Sequence, residues 1–252
     1  MSKNKAKILI KNLAFPLVGI AGFLVVWGAA YIFYGMPFIL PSPLSALRGA
    51  GRLLTEASFW RAFAGTFLRS LIAFLVSFGL ALVLALFCAV FNTKQIFAAP
   101  IAVIRSVPTM VVISLFLLWT GSASATPVLI AVLVIFPTIY SSFTAGIEKT
   151  PLSAIESAKV YGANRAELIR FVYAPSLASN IVENIASGFS LTLKLIVSAE
   201  FMVWTRNSVG ALIYYDRIHF RTDRVMAAAL LVAVFCIIFE YSARFFIKSE
   251  RA

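Results

Sequence analysis

The chain has 252 residues, 61% of them hydrophobic and only 13% charged, with a formal net charge of +12. Soluble domains carry about 45–50% apolar and about 25% charged residues, so this composition excludes an ordinary soluble protein and points to a bilayer as solvent. The cations are scattered between apolar runs rather than massed on one face, which argues against a nucleic-acid-binding surface.

Lys3, Lys5, Lys7 and Lys11 precede the first apolar run with no acid among them. That pattern is a cytoplasmic flank under the positive-inside rule. The run at 13–34 is longer than the apolar core of a cleaved signal peptide and ends without a clean small-residue cleavage site, so it reads as a retained first span. Ser42 then caps an external helix with Pro43 at its first position. Leu44, Leu47, Leu53 and Leu54 give this helix an apolar side, and Arg48, Arg52 and Glu56 a polar one. Such a helix lies along the outer membrane surface.

Residues 70–93 carry no charge and return inward to the turn NTKQ. The longest uncharged stretch lies between Arg105 and Glu148, too long for one helix. The polar break TGSASATP at 120–127 divides it into an outward span at 97–119 and an inward one at 127–146. A fifth span follows at 177–204 and a sixth at 225–247. Eight of the nine lysines then fall inside or at inner helix ends, whereas Arg48, Arg52, Arg61, Arg206, Arg217, Arg221 and Arg224 fall outside. The expectation is an all-α polytopic membrane protein with six transmembrane helices and both termini cytoplasmic.

Between the fourth and fifth spans lies a polar stretch, GIEKTPLSAIESAKVYGANRAELIRFVYAPSL. It reads as two helices of roughly 12–15 Å each at 1.5 Å per residue, far too short to cross a bilayer. Ser153 and Glu156 are spaced as a capping box, Gly162 stands where a left-handed stop is wanted, and Asn164 with Glu167 repeats the cap signature. Pro175 marks the expected end of the second helix. Helices this short need something to pack on. Ile155, Ala158 and Tyr161 offer one apolar face, and Leu168, Ile169, Phe171 and Val172 another. Two readings follow: an interfacial loop packed on its own protein, or a docking surface for a cytoplasmic partner.

This loop resembles the E-A-A-x-x-x-G-x(9)-I-x-L-P motif of bacterial ATP-binding cassette importer permeases. Glu156, Ala158, Gly162 and Pro175 stand at the motif spacing, while Ser157 replaces an Ala, Val172 the Ile and Ala174 the Leu. FILPSP, the RSVP at 105–108 and the Ser-Ala-Glu at 198–200 are similar to the LPSP, R-x-I-P and A-E of the nitrate/sulfonate/taurine-type branch. The resemblance covers about residues 40–245. It implies a type I importer permease (MetI-like) fold in the bacterial inner membrane, with a tail, first span and external helix at 1–62. A five-helix core at 63–247 would carry the cytoplasmic coupling loop 147–176, and a tail would end the chain at 248–252.

The resemblance further implies a homodimer, each copy docking a cytoplasmic ATP-binding subunit through Glu156, Ser157, Ala158, Tyr161 and Gly162. An extracytoplasmic solute-binding protein would deliver the solute. ATP would be bound by the partner subunit, with no cofactor in this chain, in keeping with the absence of a G-x-x-x-x-G-K-[ST] loop. The chain departs from the branch at LWTGSASATP, where a glycine-rich turn is common, and at Leu193–Lys194, where a Trp often stands, leaving the solute class open.

Other chemistry is sparse. Cys88 and Cys236 each sit in an apolar run as small hydrophobes. His219 is the single histidine. No metal-ligand cluster or nucleophile motif is legible, which argues against an intramembrane enzyme. Lys194 is the most central intramembrane charge; with Ser198 and Glu200 it forms the candidate translocation pathway, favouring a small, anionic solute. A salt bridge of Lys194 to Glu183 or Glu200 is the alternative role, and Glu200 also fits a structural tie at the outer end of its span. Trp27, Trp119 and Trp204 read as interface markers. An ion-coupled secondary transporter is the rival class, but convincing inverted repeats are not legible.

Overall fold

The computed structural model describes residues 2–121 and 124–249, and the side chains of residues 15, 18–121 and 124–245. The described residues are helical almost throughout, with no strand among them. They form two compact units: one holds the chain up to Ala57 together with Tyr215–Leu231, the other Ser58–Tyr214 and the chain from Val232 on.

The first unit begins with α1 (Ser2–Tyr34), which stops where Gly35 takes φ +62°. The returning loop is pinned by Trp27, whose buried Nε1 donates to Pro41 O at 3.0 Å. Trp27 is buried against that loop. Helix α2 (Pro43–Thr55) starts as expected, with Ser42 Oγ accepting from Ser45 N at 3.1 Å. Its face toward the protein is made by Ala46, Gly49, Ala50 and Leu53, while Leu44 and Leu47 are exposed. Small residues win because the backbone of α2 closes on the start of α12 (Thr222–Ser249). A Cβ at Gly49 would sit 3.1 Å from Ala227 Cβ and 3.2 Å from Asp223 O. Arg224 locks this unit, donating to both carboxylate oxygens of Glu56 at 2.6 and 2.9 Å and to Asp216 at 3.1 Å.

In the second unit, α3 (Ala57–Phe91) buries Thr66, Ser70, Ala73, Ser77, Ala81, Ala85 and Cys88, one small residue every third or fourth position. Such a stripe lets neighbouring membrane helices approach closely where no hydrophobic effect drives them together. Phe74, Ile135, Ile139, Phe143, Leu177 and Phe189 fill the core beside it. The expected single span at 97–119 is two helices, α4 (Lys94–Ser106) and α5 (Thr109–Thr120), bent by 89°. Pro108 explains the break: Val107 before it is extended (φ −71°, ψ 126°), as a residue preceding proline prefers. Helix α6 (Thr126–Glu148) follows; residues 122 and 123 of the expected polar break lie outside the described residues.

The second correction concerns Pro175. The helix beginning at Arg165 does not stop there. It continues through α8 (Arg165–Leu168), a π turn at Ile169–Tyr173, α9 (Ala174–Glu183), a second π turn at Asn184–Gly188 and α10 (Phe189–Val203). The proline stands in the first turn of α9, directly after a π turn. Ala174 N–H reaches back five residues to Ile169 O, and Ser176 Oγ donates to Val172 O at 2.8 Å. Trp204, with φ 54°, ends the run, and α11 (Val209–Ile218) follows. Among the described residues, Ala57–Phe91, Thr126–Glu148, Arg165–Val203 and Thr222–Phe245 are long and apolar enough to span a bilayer. The bent α4–α5 pair and the apolar Val18–Tyr34 segment stand where the remaining two of the six expected spans fall.

Candidate functional site

The polar loop folds into α7 (Leu152–Val160) and a tight elbow that leads into α8. Helix α7 starts earlier than its spacing suggested. Pro151 takes the N-cap position, and its carbonyl accepts from Ala154 N at 3.0 Å and Ile155 N at 3.4 Å. Ser153 and Glu156 therefore lie inside the helix and form no capping box.

The far end of α7 matches expectation. Gly162 has φ +77°. Gly162 N–H donates to Lys159 O at 3.0 Å and Ala163 N–H to Ala158 O at 2.9 Å. This pair of bonds is a Schellman stop, which needs a left-handed residue where Gly162 stands. One residue later Asn164 and Glu167 form a reciprocal capping box, with bonds of 2.7 and 3.0 Å. The elbow is thus fixed on one side by backbone hydrogen bonds and on the other by the Asn164 and Glu167 side chains accepting from backbone N–H groups. The cation of Arg165 lies 4.5 Å from the ring centre of Phe91, tying it to the end of α3.

None of the residues of α7 is buried. Glu156, Ser157 and Tyr161 are exposed, Tyr161 by 91% and the neighbouring Val160 by 84%; Ala158 and Ile155 are half-buried. Tyr161 therefore packs on nothing within its own chain among the described residues. It follows the last helical turn, and the stop turns its ring outward. Leu152 and Ile155 cover a cavity of about 390 Å³, which Ala85, Cys88, Asn92 and Thr150 also line. Lys94 and Glu148, also lining the cavity, form an ion pair between α4 and α6. Helix α7 is held mainly at its ends, and Leu152, Val160 and the adjoining Tyr161 leave apolar surface unburied among its polar residues.

Of the three pathway candidates, the structure keeps two on one face and separates the third. Lys194 and Ser198 are both exposed on α10, and Ser198 Oγ donates to Lys194 O at 3.0 Å. Lys194 makes no ion pair among the described residues; Glu183 pairs with Arg244 at 3.0 Å instead. Glu200 is fully buried, pairs with Arg69, and accepts from Thr66 Oγ1 at 2.8 Å and Gly210 N at 3.4 Å. Arg69 also donates to Arg206 O at 3.0 Å and Asn207 O at 3.2 Å, so the pair ties the turn after α10 to α3. Sequence reasoning missed Arg69 as the partner of Glu200. The signal available was two opposite charges inside apolar runs, 131 positions apart. No group of three or more metal-ligating side chains occurs among the described residues.

Comparisons with known proteins converge on one description. Residues 81–251 match the family described as binding-protein-dependent transport system inner membrane component. The chain is 30% identical over 213 residues to the riboflavin transport system permease protein RibX of Chloroflexus aurantiacus, covering 84% of this chain and 79% of that one. It is 26% identical over 228 residues to the taurine transport system permease protein TauC of Escherichia coli, covering 86% and 81%. In fold it is similar to a chain of a bacterial ABC transporter that imports the acidic polysaccharide alginate, with a TM-score of 0.67 at 18% identity over 97% of this chain and 99% of that one.

Proposed function

The chain belongs to the family of binding-protein-dependent transport system inner membrane components, permease subunits of ATP-binding cassette importers, and from that premise we propose how it couples and what it carries. Two copies form the translocation pathway. Each docks a separate cytoplasmic ATP-binding subunit on α7, through Glu156, Ser157, Ala158, Tyr161 and the turn at Gly162. ATP is held by that subunit. An extracytoplasmic solute-binding protein delivers the solute, and both termini lie in the cytoplasm.

The observation that carries this reading is the connection between α7 and the membrane. Helix α7 has no buried residue, and its rigid elbow opens directly into the helical run Arg165–Val203. A tilt imposed on α7 is transmitted along roughly 58 Å of helix at 1.5 Å per residue. That helix carries Lys194 and Ser198 on an exposed face. An ammonium in mid-span faces water, an acid or a solute rather than lipid. We assign Lys194 and Ser198 to the pathway wall and a small solute bearing an anionic group to the pathway, in keeping with the taurine permease among the relatives.

Affinity purification of the tagged chain co-expressed with its ATP-binding subunit tests the docking. The wild-type chain is expected to retain the subunit, and a Glu156→Ala, Tyr161→Ala variant to insert normally but lose it. Undiminished retention by a correctly inserted variant contradicts docking on α7.

A further inference from the structure

Helix α2 carries three stripes. At about 100° per residue, Ala46, Gly49, Ala50 and Leu53 share one face, and that face is buried. Beside it run Leu47 and Leu44, 59% and 56% exposed. Roughly a quarter turn further round come Arg48 and Arg52, both exposed. A surface helix in water buries its leucines and shows its polar residues. Here the small residues pack on the protein and the leucines point away, so they face a second apolar phase.

The order of the stripes identifies that phase. A helix lying in the plane of a membrane surface, with one flank on its protein, turns leucines to the acyl boundary and arginines to the headgroups. The charges agree. No carboxylate lies within α2, and Glu56, next in the chain, is engaged by Arg224. Arg48 and Arg52 stand one turn apart with no ion pair among the described residues. Planar guanidinium groups match phosphate oxygens in pairs.

We propose that α2 is a phospholipid site in which Leu44 and Leu47 enter the acyl boundary and Arg48 and Arg52 bind the phosphate of an anionic headgroup. This rests on the chain being a multi-pass membrane protein and not on docking of an ATPase at α7.

The test uses the full chain in nanodiscs of phosphatidylcholine with and without phosphatidylglycerol. Cys88 and Cys236 are replaced by Ala, and a nitroxide is placed at Leu47→Cys or, separately, Arg48→Cys. The label at 47 is expected to be relaxed mainly by oxygen, and that at 48 mainly by a water-soluble nickel complex. Native mass spectrometry is expected to show a preference of about fivefold or more for retained phosphatidylglycerol over phosphatidylcholine. The Arg48→Gln, Arg52→Gln variant, altered only at exposed positions, is expected to lose it. Equal nickel access at 47 and 48, shielding of 47 from both reagents, or an unchanged lipid preference in the double variant each overturns the proposal. So does shielding of 47 that arises only when a soluble partner protein is added.

Discussion

Lys194 and Glu200 lie six positions apart on α10 in opposite surroundings. The Glu200 carboxylate is enclosed by Arg69, Thr66 and the Gly210 N–H. Removing one partner of a buried pair leaves the other charge unpaired, at a cost of about 3–5 kcal/mol. Glu200→Ala is therefore expected to lower the thermal midpoint of the purified protein sharply, and Arg69→Leu in addition to restore part of it. A midpoint unmoved by Glu200→Ala would contradict the tie between α3 and the turn after α10. Lys194 has the opposite profile: it is exposed and makes no ion pair among the described residues. Lys194→Met keeps length and removes charge. The variant is expected to fold and retain its ATP-binding subunit, with uptake well below wild type and Lys194→Arg less affected; normal uptake by the Met variant contradicts the pathway role. The sequence marked both residues as intramembrane charges. It offered a structural tie as one role for Glu200, in keeping with the pair it forms, but not the partner, because that guanidinium is supplied from a distant helix.

Two prolines show what decides an element. The residue before Pro108 is extended and the helix breaks by 89°, whereas Ala174 before Pro175 stays helical (φ −62°, ψ −44°) and the run continues. Apolar periodicity registers neither outcome. At Pro175 a π turn directly precedes the proline and the chain stays helical through it, whereas at Pro108 the preceding residue is extended. The elbow after α7 was legible because its two motifs are local, written in Gly162, Asn164 and Glu167. The start of α7 was not, because Pro151 pre-empts the Ser153–Glu156 box. A Cβ at Gly162 would meet no atom within 4 Å, so strain there comes from the backbone alone, about 1–2 kcal/mol for a left-handed residue bearing a side chain. Gly162→Val is expected to loosen the elbow, leaving ATP hydrolysis in the assembled transporter while uptake per ATP falls. Gly162→Asn, which tolerates the left-handed region, is expected to fall between. Equal uptake per ATP in all three proteins contradicts a coupling role for the elbow.

At the scale of the molecule, hydropathy made the membrane class and four unbroken spans legible. It did not reveal the division into two units, because the first joins the chain up to Ala57 with Tyr215–Leu231. Side is also testable: with Cys88 and Cys236 replaced, Lys149→Cys is expected to resist an impermeant thiol reagent in intact cells and Arg52→Cys to react. Labelling at 149 from outside would place α7 out of reach of any cytoplasmic ATPase. The most direct test of the coupling account is solute uptake into proteoliposomes holding the chain with its ATP-binding subunit, the loaded solute-binding protein outside and ATP inside. Uptake is expected to require ATP and the ATP-binding subunit together and to be indifferent to dissipation of proton and sodium gradients. Full uptake by this chain alone, driven by an ion gradient without ATP, would contradict it.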